Sequence, residues 1–240
     1  MNDKYSNTEA HLMKILAMAD LHGNLPDVCE YLNKADVVII AGDIAPDYSF
    51  IPRTNIDYQK KWLNTEFYKW VKALNKPIYA CYGNHDYGTL SVDDPEIQIH
   101  VSAVVDNYFL FSWTREFCGW NYMVKDMESD PAENNVEGSI ESRIKQAFKK
   151  RKAIPDIWVC HGPPFGVCEF EDRFSGSMAL YKAIEKYQPK VVFVGHIHNE
   201  SRNGVIGNSR IYNCSIVDNA LDIVNDPIIV EVDCNNNCLV

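Results

Sequence analysis

Five short polar clusters in this chain each follow an apolar run. Asp20 and His22 follow "KILAMA", Asp43 follows "DVVIIAG", and Asn84 and His85 follow "PIYACYG". His161 follows "DIWVC", and His196 and His198 follow "VVFVG". Singly, each has an ordinary explanation: an Asp after a strand caps a helix or makes a turn, and a buried His finds a hydrogen bond. Jointly that explanation is weak, because five of the seven histidines fall in these clusters and only His11 and His100 lie outside. Burying so many polar groups without partners would cost roughly 1–3 kcal/mol each. A metal supplies the partners. Imidazole, carboxylate and amide donors without a thiolate suit Mn, Fe, Zn, Ni or Co, and so many imidazoles disfavour calcium. Seven donor residues besides His85 are too many for one ion and about right for two that share a carboxylate.

The elements that must position these residues follow from hydrophobic pattern. Runs at 14–20, 36–43, 77–86, 156–162 and 191–198 are continuously apolar over about four residues, as in strands covered on both faces. Runs at 210–215 and 227–233 add two strands, the second with an alternating end that suits a sheet edge. Leu63, Phe67, Trp70, Val71 and Leu74 keep helical spacing, as do Ile140, Ile144, Ala147 and Phe148, and again Met178, Ala179, Ala183, Ile184 and Tyr187. Pro26 suits the first turn of a further helix. The "KKRK" at 149–152 reads as a solvated helix end, where cations are favourable. Residues 97–113 alternate, turn at Asp106-Asn107 and return, which predicts a hairpin. The expectation is an α/β protein with mixed sheets, a polar extension at 1–12 and one domain over 13–240. Five polar clusters at the carboxyl ends of strands would then gather in one pocket, where open α/β sheets place functional groups.

Composition narrows the function classes. Of 240 residues, 46% are hydrophobic, enough for a packed core, and the formal net charge is -10. Such a surface repels nucleic-acid backbones and anionic membranes, so no stable nucleic-acid complex is expected. No apolar run is long enough to span a bilayer, and the polar start lacks the apolar core of a signal peptide. The eight cysteines form no Cys-x-x-Cys pair and read as reduced thiols of a cytoplasmic protein, with pairing of Cys234 and Cys238 left open. Monomer and homodimer both remain open.

In order and spacing, Asp20-x-His22, Gly42-Asp43, Gly83-Asn84-His85-Asp86, His161 and Gly195-His196-x-His198 resemble the five blocks of the calcineurin-like metallophosphoesterases. The resemblance implies a four-layer αββα sandwich of two mixed β-sheets flanked by helices. It implies one metal held by Asp20, His22, Asp43 and His198, and a second held by Asp43, Asn84, His161 and His196. Manganese is the first expectation, with iron, zinc, nickel, cobalt or magnesium as alternatives. It further implies that a hydroxide between the two ions is the nucleophile and that His85 protonates the departing oxygen. Asp86 is expected to take a hydrogen bond from His85 and raise its pKa. Asn84, His85, His161 and Phe165 are the expected substrate contacts.

The stretches "GDIAPD" and "CYGNHD" lack the arginines that hold a monoester dianion in the serine/threonine phosphatases of that family, which favours diesters. "FSWTREFCGWNY" and "CHGPPFGVCE" are similar to segments of its small phosphodiesterase branch, which acts on cyclic nucleotides and model diesters. Trp113, Trp120, Phe165 and Phe170 offer stacking surfaces for a base, or pack the core. The expected function is hydrolysis of small phosphodiesters. The alternatives are a phosphomonoesterase, a nucleotide pyrophosphohydrolase, or a non-catalytic protein-binding scaffold.

Overall fold

Alternation within the apolar runs dictates the layers. The computed structural model describes residues 12–47, 52–88, 90–91, 97–100, 104–105, 109–112, 155–169, 176–198 and 203–233. Strands β1 (Leu12–Met18), β2 (Val37–Ala41), β3 (Ile78–Cys81) and β4 (Ile97–His100) form one sheet with β11 (Ile228–Asp233), in the order β11-β1-β2-β3-β4. A second sheet has the order β5-β6-β7-β8-β10-β9. It comprises β5 (Val104–Val105), β6 (Phe109–Ser112), β7 (Ile157–Cys160), β8 (Val191–Val194), β9 (Asn203–Ile206) and β10 (Ser209–Asn213). Both sheets are mixed: β1, β2, β3 and β4 run parallel and β11 antiparallel, while β6, β7, β8 and β10 run parallel and β5 and β9 antiparallel.

Successive side chains of one strand point to opposite faces, so each central strand contributes to two cores. Ile15 and Ala17 of β1 and Ile39 and Ala41 of β2 pack against Ile157 and Val159 of β7 and Val191 and Phe193 of β8, between the sheets. Leu16, Met18, Val38 and Ile40 face outward onto Leu63, Phe67, Val71 and Leu74. Those four lie on a π-helical turn at Leu63–Phe67, which continues α2 (Pro52–Trp62), and on α3 (Tyr68–Leu74). On the far side, Trp158, Cys160, Val192 and Val194 face Leu180, Ala183 and Ile184 of α4 (Met178–Tyr187), whose first turn is capped by the Ser177 hydroxyl accepting from Leu180 N–H at 3.0 Å. The result is helix, sheet, sheet, helix: the αββα sandwich expected from the sequence. No helix among the described residues is long and apolar enough to cross a membrane.

Phe67 is the buried pivot of the outer helical layer, with the Trp62 and Trp70 rings each 6.0 Å from its own. Phe67→Ala leaves a cavity that the two neighbouring rings cannot fill, and it should cost about 3–5 kcal/mol of stability in a urea melt. A loss under about 1 kcal/mol would mean the layer is loosely packed.

Several expectations need correction. The helix near Pro26 is a single turn, α1 (Cys29–Leu32), and excludes the proline. The expected hairpin is borne out between β5 and β6, which pair antiparallel in the second sheet on either side of Asp106-Asn107, but β4 does not belong to it and pairs with β3 in the first sheet. Period-2 alternation reports a half-buried strand but not which sheet receives it. Strand β9, unforeseen, joins β10 through the two-residue turn Gly207-Asn208, a recognisable hairpin signal. The strand at 227–233 does lie on a sheet edge. The helix at 140–152, Trp113, Trp120, Phe170, Cys234 and Cys238 lie outside the described residues.

Candidate metal centre

The carboxyl ends of β1, β2, β3, β7 and β8 meet where the two sheets are tied together. Ala19 N–H donates to Cys214 O at 2.8 Å, and Cys214 N–H to Val194 O at 2.7 Å, which fixes the end of the first sheet to the second. Asp20 N–H donates to Gly42 O and His22 N–H to Asp43 O, both at 2.9 Å, so the loops after β1 and β2 run side by side. Two glycines permit this approach. A Cβ on Gly42, where φ is +90°, would lie 2.5 Å from His161 Nδ1, and one on Gly195 would lie 2.6 Å from the Ala19 Cβ.

The backbone is strained at the same place. Asp20, His22, Asp43 and His196 adopt φ values of 56°, 44°, 51° and 72°, in the left-handed region that side-chain-bearing residues rarely enter. Each costs of order 1–3 kcal/mol, and such strain concentrates where a side chain must be aimed. Here it brings the side chains after three strands together. The amide of Asn213, buried at the end of β10, steadies the loop between His196 and His198 by donating to Ile197 O at 2.6 Å.

Among the described residues, the side chains form three groups. Ligand atoms of Asp20, His22 and His198 lie within 4.8 Å of one another, as do those of Asp43, His161 and His196. These two trios each belong to one of the two ligand sets implied by the sequence resemblance, and a third, of His22, Asp47 and His85, shares His22 with the first and belongs to neither set. Asn84 joins the second, its Oδ1 lying 3.0 Å from His161 Nε2 and 2.9 Å from His196 Nδ1. Asp43 connects the two, with Oδ2 at 3.1 Å from His161 Nε2 and 3.7 Å from His22 Nε2. His161 Nδ1 contacts Ala41 O at 2.8 Å, which assigns a proton to that nitrogen and leaves Nε2 facing two oxygen acceptors. A proton on Nε2 or a bound cation would satisfy these oxygens. His22 is more telling: both ring nitrogens are buried without a hydrogen-bond partner. An imidazole in that condition, with carboxylates on two sides, fits a cation site.

Electrostatics sort the imidazoles into two kinds. Burial would raise the Asp43 pKa, but His161, His85 and His22 hold it well below the carboxylate range. Burial would lower His161, and Asp43 with Asp20 behind it more than reverses that, lifting it to about 9. Burial also works against protonation of His85, and Asp43 with Asp47 raises it to about 9. His196 goes the other way, held down to about 3 by burial and then by the charge of His161, and burial lowers His22 as well.

His85 stands at the rim. Its side chain is 42% exposed and its ring packs edge-on against His22, with centroids 5.2 Å apart. The expected hydrogen bond to Asp86 is not the one formed. His85 Nδ1 pairs with Asp47 Oδ2 at 2.5 Å instead. Asp86 is buried beneath the loop, where its carboxylate accepts from Gly83 N–H at 2.8 Å, Ala45 N–H at 2.8 Å and Ile44 N–H at 2.9 Å. Burial, then the charge of Asp43, pushes Asp86 up to about 7 against those three donors. It ties the loop after β2 to the loop after β3 and does not touch the His85 ring. Asp47 is a site residue that the sequence reading misses, although a second carboxylate four residues after Asp43 in "GDIAPD" is a visible signal. Phe165 is half-buried on the loop after β7, its N–H donating to Ser177 O at 3.0 Å.

Comparison with known proteins agrees with this geometry. Residues 13–200 match the family model described as calcineurin-like phosphoesterase. An uncharacterised protein of Methanocaldococcus jannaschii, MJ1162, is 25% identical over 85% of this chain and 88% of its own length. A UPF0046 protein of Caenorhabditis elegans is 21% identical over 92% of this chain and 81% of its own. Among solved structures, TT1561 of Thermus thermophilus superposes with a TM-score of 0.57 at 15% identity, covering 93% of this chain and 99% of that one. GAP50, the anchor in the inner membrane complex of Plasmodium, superposes with a TM-score of 0.51 at 14% identity, covering 85% and 72%. The structural likenesses establish the fold, and the matched span from β1 past His198 carries every candidate ligand. On that span, the chain belongs to the calcineurin-like phosphoesterase family.

Proposed function

We propose that the protein is a metal-dependent phosphodiesterase acting on small diesters. The observation that carries this reading is the buried, unpartnered His22 ring between Asp20, His198 and Asp43. Asp20, His22, Asp43 and His198 would hold one divalent cation, and Asp43, Asn84, His161 and His196 a second. Two such cations supply Lewis-acid chemistry: they lower the pKa of water and neutralise charge that builds on the phosphoryl oxygens. The protein does the rest. Asp20 and Asp43 bring the negative charge that would retain cations, and His161 would release its Nε2 proton on ligating one. Asp20 is itself aimed by the His196 N–H, which donates to Oδ2 at 2.9 Å and Oδ1 at 3.0 Å. His85, at the rim and paired through Nδ1 with Asp47, presents Nε2 as a proton donor to the departing oxygen.

A diester is favoured over a monoester because the rim carries Asp47, 27% exposed beside His85, and no arginine in residues 44–47 or 82–86. A carboxylate there opposes the second negative charge of a monoester. The test is turnover of bis(4-nitrophenyl) phosphate against 4-nitrophenyl phosphate, with Mn, Fe, Zn, Ni, Co and Mg in turn. The expected kcat/KM for the diester exceeds that for the monoester by about tenfold or more, roughly 1.4 kcal/mol of transition-state preference. Monoester preference would instead support a phosphomonoesterase. No turnover with any metal would sink the enzymatic reading.

A further inference from the structure

Helix α2 sends one side chain toward the site without contributing to either ligand group. Gln59 is fully buried, and its amide makes four hydrogen bonds, all to backbone. Nε2 donates to His85 O at 2.8 Å and to Pro46 O at 3.2 Å. Oε1 accepts from Tyr87 N–H at 2.7 Å and from Gly88 N–H at 2.9 Å. A single amide thus grips the loop after β3 at three points and the loop after β2 at one. The gripped positions matter: His85 carries the proton-donor ring, and Pro46 precedes Asp47, whose carboxylate takes His85 Nδ1. His85 and Asp47 sit on different loops, so their pairing depends on the relative placement of two backbones. The same NH2 group holds a carbonyl from each.

We propose that Gln59 is a positioning residue that sets the His85–Asp47 pair for proton delivery to the leaving oxygen. The inference rests on the phosphodiesterase reading. A side chain that only filled space would need no such bonding, and leucine or methionine would serve. Misplacement of a catalytic group by about 1 Å costs on the order of 100-fold. The cost should fall on substrates that need the proton.

The experiment uses aryl methyl phosphate diesters with leaving groups of increasing basicity, in Gln59→Met, Gln59→Glu, His85→Ala and the His85→Ala/Gln59→Met double variant. Gln59→Glu keeps the acceptor for Tyr87 and Gly88 and removes the donor to His85 and Pro46, so it carries the test if the methionine variant fails to fold. The expected result is a loss of about 10- to 100-fold for the most basic leaving group and about 3-fold or less for nitrophenolate. Bound metal should match the wild type. Adding Gln59→Met to His85→Ala should cost nothing further, because the two act as one unit. Equal losses across the series, or losses that multiply in the double variant, would overturn the inference while leaving the phosphodiesterase reading intact. A wild type inactive on every diester would overturn both.

Discussion

Asp43→Asn should yield a folded protein that no longer retains two metals and whose diester turnover falls by about a thousandfold or more. The carboxylate stands between the two ligand groups, with Oδ2 toward His161 and His22 and Oδ1 accepting the His85 N–H at 2.7 Å. Asparagine keeps an acceptor for that N–H and fills the same volume, so the loop after β3 stays in place. What is lost is the charge that both cations would share. Lewis-acid stabilisation by metals is worth several kcal/mol, and about 4 kcal/mol corresponds to a thousandfold in rate. The checks are metal content by elemental analysis and kcat/KM on a nitrophenyl diester. A variant that keeps both metals and full activity would contradict the assignment.

His85→Ala should show the opposite combination: metals retained, chemistry impaired. His85 lies outside both ligand sets centred on Asp43, its only potential ligand trio among the described residues being the one with His22 and Asp47, and its side chain is 42% exposed. Removing a general acid typically costs on the order of 10²–10⁴-fold. The loss should be steepest for alkoxide leaving groups and smallest for nitrophenolate, which departs without help. Elemental analysis and a comparison of the two leaving-group types would check this. Metal loss equal to that of Asp43→Asn would make His85 a ligand and remove it from proton transfer.

The two results separate metal binding at Asp43 from chemistry at His85, a separation already legible in "GNHD", where the candidate ligand Asn84 adjoins the candidate proton donor His85. The five polar clusters are readable because each follows a strand covered on both faces, and the carboxyl ends of β1, β2 and β3 in one sheet and of β7 and β8 in the other come together. Asp20, His22, Asp43, Asn84, His161, His196 and His198 do converge. The partner of His85 is misread because adjacency in sequence suggests Asp86. In space, the backbone turn at Gly83 folds Asp86 under the loop and leaves Asp47 beside the ring. Gln59 and Asn213 carry no signal at all. A glutamine on a largely polar helix and an asparagine at a strand end are common, and only burial and bonding distinguish these two. That β4 joins the first sheet and β5 the second is illegible for a related reason: alternation gives the face a strand hides, not the neighbour it joins.

The central claim is that Asp20, His22, Asp43, Asn84, His161, His196 and His198 form one two-cation centre. Anomalous diffraction from crystals grown with manganese tests it most directly. The account predicts two peaks about 3.5–4 Å apart, one among Asp20, His22 and His198 and one among Asp43, Asn84, His161 and His196. A single peak, or peaks remote from Asp43, would contradict it.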